Sequence, residues 1–233
     1  MAKAKGKIII DGVEISVEKE DISFRGIYDL PYSLVLIEKF IEDAGSDDLG
    51  VFGGTYEGGI HCQQVPDEIA SCIHVILESE ESIKSYLEIG VAAGGTTFLF
   101  NRFFHPEQII LIDDNKHYKA KLRVDILKNM KYTEIIGNSQ DEESVRQVSA
   151  FAPFDIILID GDHSYAGMKL DTILYLPYLR VGGFLILHDS ALLECGGVRV
   201  VRELKADKGM EFIGEYISKK HKPCGIALFR RQI

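Results

Sequence analysis

From residue 84 onward, short apolar runs alternate with helix-length amphipathic stretches, and this alternation constrains the fold more than any other feature. The runs at 109–112 and 156–159 are uniformly apolar, as expected for parallel strands buried on both faces. Alternating strands and helices predict a parallel sheet covered by helices on each side. The predicted strands are residues 85–89, 108–112, 133–136, 155–159 and 183–187, followed by a hairpin of 210–217 and 224–229.

This pattern predicts an α/β fold, a Rossmann-like three-layer α/β/α sandwich with a mostly parallel seven-stranded sheet. Counted from the strand at 85–89, the expected strand order is 3-2-1-4-5-7-6. The predicted helices are residues 34–42, 67–78, 96–104, 116–129, 142–150, 165–176 and 198–206. We expect two regions. Residues 1–80 form an N-terminal extension with an arm, two helices and a glycine-rich stretch at 50–59 as a candidate lid, and residues 81–233 form the sandwich domain.

Charge and cysteine usage exclude several classes of partner. The formal net charge is −10, whereas nucleic-acid binding relies on Lys and Arg to neutralise phosphates, so we expect no nucleic-acid partner. No apolar run is long enough for a transmembrane helix, and we expect no membrane association. The four cysteines show no CxxC spacing, so the sequence indicates neither a zinc site nor a disulfide framework. The expected compartment is a reducing cytoplasm.

The first predicted strand runs into a glycine-containing turn with the sequence Glu-Ile-Gly-Val-Ala-Ala-Gly-Gly-Thr-Thr at 88–97. Dinucleotide enzymes need G-x-G-x-x-G at this place, and here Ala92 occupies the middle glycine position. A ligand without a pyrophosphate is therefore favoured. Glu88 suits a cation, Gly90 and Gly94 leave space for a ligand, and the pair Thr96 and Thr97 suits the start of the next helix.

This E-x-G-x-x-x-G pattern resembles the first motif of class I S-adenosylmethionine-dependent methyltransferases. The alternative is a tight turn in an unrelated α/β protein. Asp113 follows the second strand, where a carboxylate would accept both ribose hydroxyls, and Asp114 is the adjacent candidate. The segment at 137–141 resembles the G-x-S-Q-D segment of catechol O-methyltransferase, and the resemblance implies adenine contacts for Ser139 and Gln140. Ser139 as a helix N-cap is the structural alternative.

Acidic and histidine residues follow strands four and five. The fourth strand leads into Asp160 and His163, and the fifth into His188, Asp189 and Ser190. Neighbouring strands lie roughly 4.8 Å apart, so Asp160 and Asp189 are expected to lie close enough to repel unless a positive charge separates them. A divalent cation such as Mg²⁺ with oxygen ligands satisfies that requirement and lowers the pKa of a coordinated hydroxyl. A contact between Asp160 and the cofactor, without metal, is the alternative.

The same two segments resemble those of the metal-dependent catechol and caffeoyl-CoA O-methyltransferases. Ser190 replaces their third ligand, usually Asn, and His163 replaces their basic Lys. His163 is therefore the candidate general base, beside Asp160. The stretch from Gly59 to Ser190 resembles the cephalosporin hydroxylase-like and rhamnosyl O-methyltransferase family more closely, which makes His188 a candidate metal ligand with Asp160, Asp189 and Ser190.

The predicted function is methyl transfer from S-adenosylmethionine to a hydroxyl of a small molecule. A metal-dependent hydroxylase on the same fold and a non-catalytic cofactor-binding protein are the alternatives. The N-terminal helices suggest a homo-oligomer, because such arms mediate pairing in related enzymes.

Overall fold

The computed structural model describes residues 33–45 and 59–233, together with the backbone of two strands near the N-terminus. Those two strands, β1 (Lys5–Ile10) and β2 (Val13–Glu18), form a separate antiparallel pair. The predicted lid at 50–59 lies, apart from Gly59, outside the described residues. The division of the chain at residue 80 stays a prediction.

The central sheet has seven strands in the order β5-β4-β3-β6-β7-β9-β8. Five strands run parallel, and β9 pairs antiparallel with both β7 and β8. This is the predicted order 3-2-1-4-5-7-6, so the predicted fold class is confirmed. The strands are β3 (Ser85–Ile89), β4 (Gln108–Asp113), β5 (Thr133–Ile136), β6 (Phe154–Ile159), β7 (Leu179–His188), β8 (Met210–Tyr216) and β9 (Ile226–Arg231).

Helices cover both faces of the sheet, because alternate residues of its buried strands point to opposite sides. Tyr86 belongs to a core shared with α1, α2 and α3, whereas Leu87 belongs to a core shared with α5, α6 and α7. The helices are α1 (Leu34–Ala44), α2 (Pro66–Glu78), α3 (Gly95–Phe104), α4 (Arg123–Ile126), α5 (Glu142–Ser149), α6 (Tyr165–Tyr175) and α7 (Gly197–Lys205). In the described part of the chain, none of them is both long and apolar enough to cross a membrane.

One predicted helix is wrong in extent. Residues 116–129 form a 3-10 turn at Ala120–Leu122 and the single helical turn α4 rather than one long helix. Arg123 and Leu127, one turn apart, are buried, while Val124 is exposed. Because only one turn of this segment packs against the core, the rest gains no tertiary support for a helix.

The parallel order brings the carboxyl ends of β3, β4, β6 and β7 to one edge of the sheet. Ligands bind at this edge in open α/β sheets, beside the point where the strand order reverses. Here that point lies between β3 and β6, which are direct neighbours in the sheet.

Candidate functional site

The turn between β3 and α3 fits tightly among its neighbours. Gly90 has a φ of 82°, and a Cβ atom there would lie 2.2 Å from the carbonyl oxygen of Asp160. Its N–H donates to the carbonyl of Ile112 at 3.0 Å. Ala92 also has a positive φ, and Gly94, with a φ of 88°, is the residue before α3. The turn therefore forms a backbone cradle at the switch point, and the role of Gly90 and Gly94 in leaving space for a ligand stays a prediction.

Glu88 is fully buried below this cradle. Its Oε2 atom accepts hydrogen bonds from Thr97 Oγ1 at 2.5 Å and Tyr86 Oη at 2.7 Å. Burial raises the pKa of Glu88 to about 8, although these two donors oppose the shift. Thr97 therefore donates a hydrogen bond to Glu88. It does not line the cavity at this edge of the sheet, whereas Thr96 does.

Asp113 holds the cradle from the end of β4. Its Oδ2 atom accepts the N–H groups of Val91 at 2.7 Å and Ala92 at 2.9 Å, and its Oδ1 atom accepts the N–H of Asn115 at 2.7 Å. Its neighbour Asp114 forms an exposed pair with Lys116 at 2.7 Å. Both carboxylates line the cavity, and a ribose contact by either stays a prediction.

Arg123 is a residue of this site that the sequence analysis missed. Its guanidinium is 2% exposed, and its Nε and Nη2 atoms donate to the carbonyl of Ala92 at 3.0 and 2.7 Å. It also lies 3.2 Å from Asp113 Oδ1 and pairs with Glu134 of β5. One buried cation thus links the loop after β3, the end of β4 and the strand β5 beneath the cradle. Arginine side chains are normally exposed. No sequence motif distinguishes Arg123 from an exposed arginine.

The polar loop after β5 is held by α6. Ser139 Oγ donates to Asp171 Oδ1 at 2.7 Å, and Tyr175 Oη donates to the carbonyl of Ser139 at 2.6 Å. Gln140 Nε2 lies 3.4 Å from the carbonyl of Gly167. The residue that precedes α5 is Asp141, so the alternative interpretation of Ser139 as the N-cap is wrong. Ser139 and Gln140 both line the cavity, at the end opposite to Asp160 in sheet order.

Four ionisable side chains converge at the ends of β6 and β7. Each of Asp160, His163, His188 and Asp189 offers one donor atom, and these atoms all lie within 4.8 Å of one another. His188 Nδ1 is 2.8 Å from Asp160 Oδ1 and 3.3 Å from Asp189 Oδ1. His163 Nδ1 is 2.7 Å from Asp189 Oδ2. The sequence analysis predicted that these loops meet, and the geometry brings all four side chains together.

The two carboxylates and the two imidazoles change one another's protonation. The hydrogen bond that His163 Nδ1 donates to Asp189 raises the pKa of His163. His188 is fully enclosed, and although its burial opposes protonation, the nearby Asp160 and Asp189 raise its pKa to about 9. Burial alone would raise the pKa of Asp189, but the His163 contact holds it below its ordinary value.

Gln64, just before α2, and Glu68, in the first turn of α2, lie beside the cluster. Gln64 is 1% exposed, and its Nε2 atom donates to Asp160 Oδ2 at 2.9 Å. Glu68 accepts the N–H groups of Ser218 and Gly225, each at 2.8 Å, and so ties α2 to the loop between β8 and β9. The sequence analysis noted the surrounding motif only as a resemblance and assigned neither residue a role.

The donor set fits a metal ion. Asp160 Oδ1 and both ring nitrogens of His188 are buried without a hydrogen-bond partner of good geometry, which leaves them available as ligands. Ser190, the fourth predicted ligand, is buried but does not line the cavity. Its Oγ atom lies 2.6 Å from the position that a Cβ atom on Gly225 would occupy. A ligand role for Ser190 stays a prediction, and the described geometry directs its hydroxyl toward β9.

A single cavity of about 680 Å³ joins these parts. This volume lies within the usual range for small-molecule sites. It extends from the loop after β5, past the glycine cradle, to the cluster at β6 and β7. The predicted site residues that line it are Glu88, Gly90, Ala92, Thr96, Asp113, Asp114, Ser139, Gln140, Asp160, His163, His188 and Asp189.

Comparison with known proteins agrees with this arrangement. Residues 87–190 match a family described as a methyltransferase domain. This is the stretch from β3 to the cluster residues after β7. The fold is that of the class I methyltransferases.

Two solved structures share this methyltransferase fold. An O-methyltransferase from Bacillus cereus in complex with SAH superimposes with a TM-score of 0.55 at 15% identity, covering 69% of this chain and 79% of that one. The MycE methyltransferase from the mycinamycin biosynthetic pathway, in complex with Mg and SAH, superimposes with a TM-score of 0.53 at 17% identity. That alignment covers 95% of this chain and 66% of MycE.

A curated relative matches over a shorter stretch. Demethylmacrocin O-methyltransferase of Streptomyces fradiae is 26% identical over 112 residues, which is 44% of this chain and 26% of the relative. The chain thus spans about a quarter of that methyltransferase.

Proposed function

We propose that this protein transfers the methyl group of S-adenosylmethionine to a hydroxyl group of a small molecule. The observation that carries the proposal is the single cavity that joins a glycine cradle to a His–Asp pair. The cradle offers room for the cofactor, and the His–Asp pair offers a base for the acceptor. The similarity to proteins named as O-methyltransferases supports the same reaction.

The cofactor would lie along the carboxyl edge of β3, β4 and β5. Its ribose would bind near Asp113 and Asp114, and its adenine near Ser139 and Gln140, as the resemblance implies. The methionine portion would lie over Gly90, above the buried Glu88. Its sulfonium would then point toward the ends of β6 and β7, where the acceptor must enter.

His163 has the geometry of a general base. Its Nδ1 atom is hydrogen-bonded to Asp189, so Nδ1 carries the proton of the neutral ring and Nε2 is left to accept one. The acceptor hydroxyl attacks the methyl carbon, the carbon–sulfur bond breaks, and the hydroxyl proton passes to Nε2. The products are the methyl ether and neutral S-adenosylhomocysteine. This reaction needs positioning rather than a covalent intermediate.

A divalent metal ion such as Mg²⁺ would be held by Asp160, His188 and Asp189, and when bound it would favour ionisation of the acceptor hydroxyl. Gln64 fixes the orientation of Asp160 by its hydrogen bond to Oδ2, which leaves Oδ1 for the ion. Methyl transfer is favoured over the hydroxylase alternative because the cavity also has a predicted place for ribose and adenine.

We propose a reducing cytoplasm as the compartment and a homo-oligomer as the assembly. Cys72, Cys195 and Cys224 are free thiols, and Cys72 and Cys224 are buried. Buried thiols without disulfide partners are typical of proteins kept in a reducing environment. The proposed acceptor is a small molecule, with neither nucleic acid nor membrane as a partner, in keeping with the net charge of −10.

Isothermal titration calorimetry with S-adenosylmethionine and S-adenosylhomocysteine, with and without Mg²⁺, tests the cofactor half of the proposal. We expect both ligands to bind and NAD⁺ not to bind. Absence of binding by both sulfur compounds would overturn the proposal.

Transfer of a radiolabelled methyl group to a panel of phenols and hydroxylated sugars tests the acceptor half. Once an acceptor is found, His163→Ala is expected to lower kcat by about 10²–10⁴-fold, the usual contribution of a general base. The affinity for S-adenosylhomocysteine should stay within about twofold of the wild type, because His163 lies on the acceptor side. Wild-type turnover in His163→Ala would rule out this role.

A further inference from the structure

The end of β7 places a histidine between two carboxylates. His188 is the last residue of β7, and its backbone is fixed by pairing with Ile226 of β9. Its side chain is 7% exposed and cannot swing into solvent without opening the sheet. Whatever binds between Asp160 and Asp189 therefore meets an imidazole nitrogen.

The distances around this nitrogen match a coordination sphere. An ion bound at about 2.1 Å keeps its ligand atoms about 3.0 Å apart at right angles and about 4.2 Å apart when opposite. His188 Nδ1 lies 2.8 and 3.3 Å from one oxygen of Asp160 and one of Asp189. His163 is left out of the set, because its Nδ1 is hydrogen-bonded to Asp189 and its Nε2 serves the acceptor.

The donor types decide which ion fits. Mg²⁺ prefers oxygen ligands in a near-ideal octahedron, whereas imidazole nitrogen suits Zn²⁺, Fe²⁺, Co²⁺ and Ni²⁺. A solved structure with this fold contains Mg, and an all-oxygen site would make Mg²⁺ the expectation here as well. One nitrogen held between two carboxylates reverses that expectation.

We propose that Asp160, His188 and Asp189 form a metal site that selects a transition metal ion over Mg²⁺ through the His188 nitrogen. The inference deepens the proposed function, since it names the ion for the same cavity. It predicts that Co²⁺ and Zn²⁺ bind on the order of 100-fold more tightly than Mg²⁺ or better, following the preference of nitrogen donors for these ions.

Titration of the full-length, metal-free protein with Co²⁺ tests the inference without any methyl acceptor. The visible absorption of bound Co²⁺ reports its ligands, and competition with Zn²⁺ and Mg²⁺ gives their relative affinities. We expect Zn²⁺ to displace Co²⁺ at equimolar concentration and Mg²⁺ to require a large excess. Equal or tighter binding of Mg²⁺, or no Co²⁺ binding, would overturn the inference.

Two variants at His188 and one matched control sharpen the test. His188→Asp gives three carboxylates and should weaken Co²⁺ binding by at least about tenfold relative to Mg²⁺. His188→Cys replaces the imidazole with a thiolate, which also binds Zn²⁺ in preference to Mg²⁺, and should retain the preference for Zn²⁺. The control, His117→Gln, removes a histidine of the same cavity outside the cluster and should leave Co²⁺ affinity unchanged. An unaltered selectivity in His188→Asp contradicts the inference.

Calorimetry separates this inference from the proposed function. Binding of S-adenosylhomocysteine in the presence of a chelator, together with an absence of Co²⁺ binding, would remove the metal site and leave the cofactor site. Binding of Co²⁺ without binding of either sulfur compound would retain the metal site and remove the cofactor site. Because His188 is buried, the thermal unfolding of each variant is recorded first. If His188→Asp does not fold, metal selectivity is measured with His188→Cys.

Discussion

Arg123 is buried and contacts three elements around the cradle, although no sequence motif marks it. It neutralises Asp113 and Glu134 and holds the carbonyl of Ala92 in the cradle. Breaking a buried ion pair from one side leaves an uncompensated charge and costs about 3–5 kcal/mol. Its removal should therefore affect stability and cofactor binding together.

We expect Arg123→Met to lower the free energy of unfolding by about 3–5 kcal/mol. It should also weaken binding of S-adenosylhomocysteine, because the carbonyl of Ala92 and the carboxylate of Asp113 lose their donor. Urea denaturation and calorimetry measure the two effects. Arg146→Met, at an exposed pair with Glu143, is the matched control and should leave the denaturation midpoint unchanged. An Arg123→Met protein as stable as the wild type would show that the cradle does not depend on this cation.

Asp171 predicts a dependence of stability on pH. Burial raises the pKa of Asp171 to about 6 from its ordinary value of 3.8. A folded-state pKa above the unfolded value means that the native state binds the proton more tightly. The stability from this carboxyl is therefore complete below about pH 4 and is lost as the pH rises through 6.

Asp171→Asn should remove this loss while keeping an acceptor for Ser139. We expect a gain of about 1–3 kcal/mol in the free energy of unfolding at pH 8, from the size of the shift, and no gain at pH 4. Chemical denaturation at the two pH values measures it. Asp125→Asn, at an exposed carboxylate, should show no such difference. An equal effect of Asp171→Asn at both pH values would contradict this account.

Residue-level prediction from the sequence succeeded where a strand end fixed the position. Asp160, His163, His188 and Asp189 follow two neighbouring strands, so their convergence could be inferred from strand order alone. Arg123 and Gln64 could not be found this way. Gln64 lies in an irregular segment and Arg123 in the single helical turn α4, and the burial of both depends on side-chain packing that has no periodic signal in the sequence.

The β3–α3 turn and the end of β6 are in backbone contact. A Cβ atom on Gly90 would collide with the carbonyl of Asp160, and the positive φ of Gly90 adds strain. Gly161, on the facing loop, has more space: a Cβ atom there would lie 3.4 Å from Ile89 Cγ2, which is an ordinary van der Waals contact. The two glycines therefore form a matched pair for testing how closely these elements must approach.

Gly90→Ala should destabilise the protein by about 2–6 kcal/mol, from backbone strain and overpacking together. It should also weaken S-adenosylhomocysteine binding, because the turn must move away from β6. Gly161→Ala should change the melting temperature little. Differential scanning calorimetry compares them, and equal melting temperatures for both variants would show that the close approach is not required.

Prediction at the element scale was accurate for buried strands and poor for peripheral segments. The strands β3, β4 and β6 are buried over almost their whole length, and their predicted bounds agree with the structure to within one residue. The sequence predicts one helix over residues 116–129 because a helix-length amphipathic stretch lies there between two strands. The structure shows that packing of a single turn decided the outcome.

For the whole molecule, ligand binding should appear as global stabilisation. At 100 times its Kd, a ligand stabilises the native state by about 2.7 kcal/mol. In a chain of this size, 1 kcal/mol shifts Tm by about 2–4 °C. We therefore expect S-adenosylhomocysteine to raise Tm by about 5–11 °C in a thermal shift assay. NAD⁺ at the same concentration is the control, and an equal shift by NAD⁺ would contradict the selectivity of the cradle.

The position of β9 also has a consequence for biosynthesis. As the ribosome releases the chain, β8 emerges before β9, yet in the described sheet β8 pairs only with β9. Until β9 is inserted, β7 presents an unpaired edge, and exposed edges of this kind favour aggregation. His188 lies on that edge, opposite Ile226. A nascent chain that has already formed the β3–β6 half of the cavity thus still lacks the strand pairing that fixes the backbone of His188, until β9 has emerged.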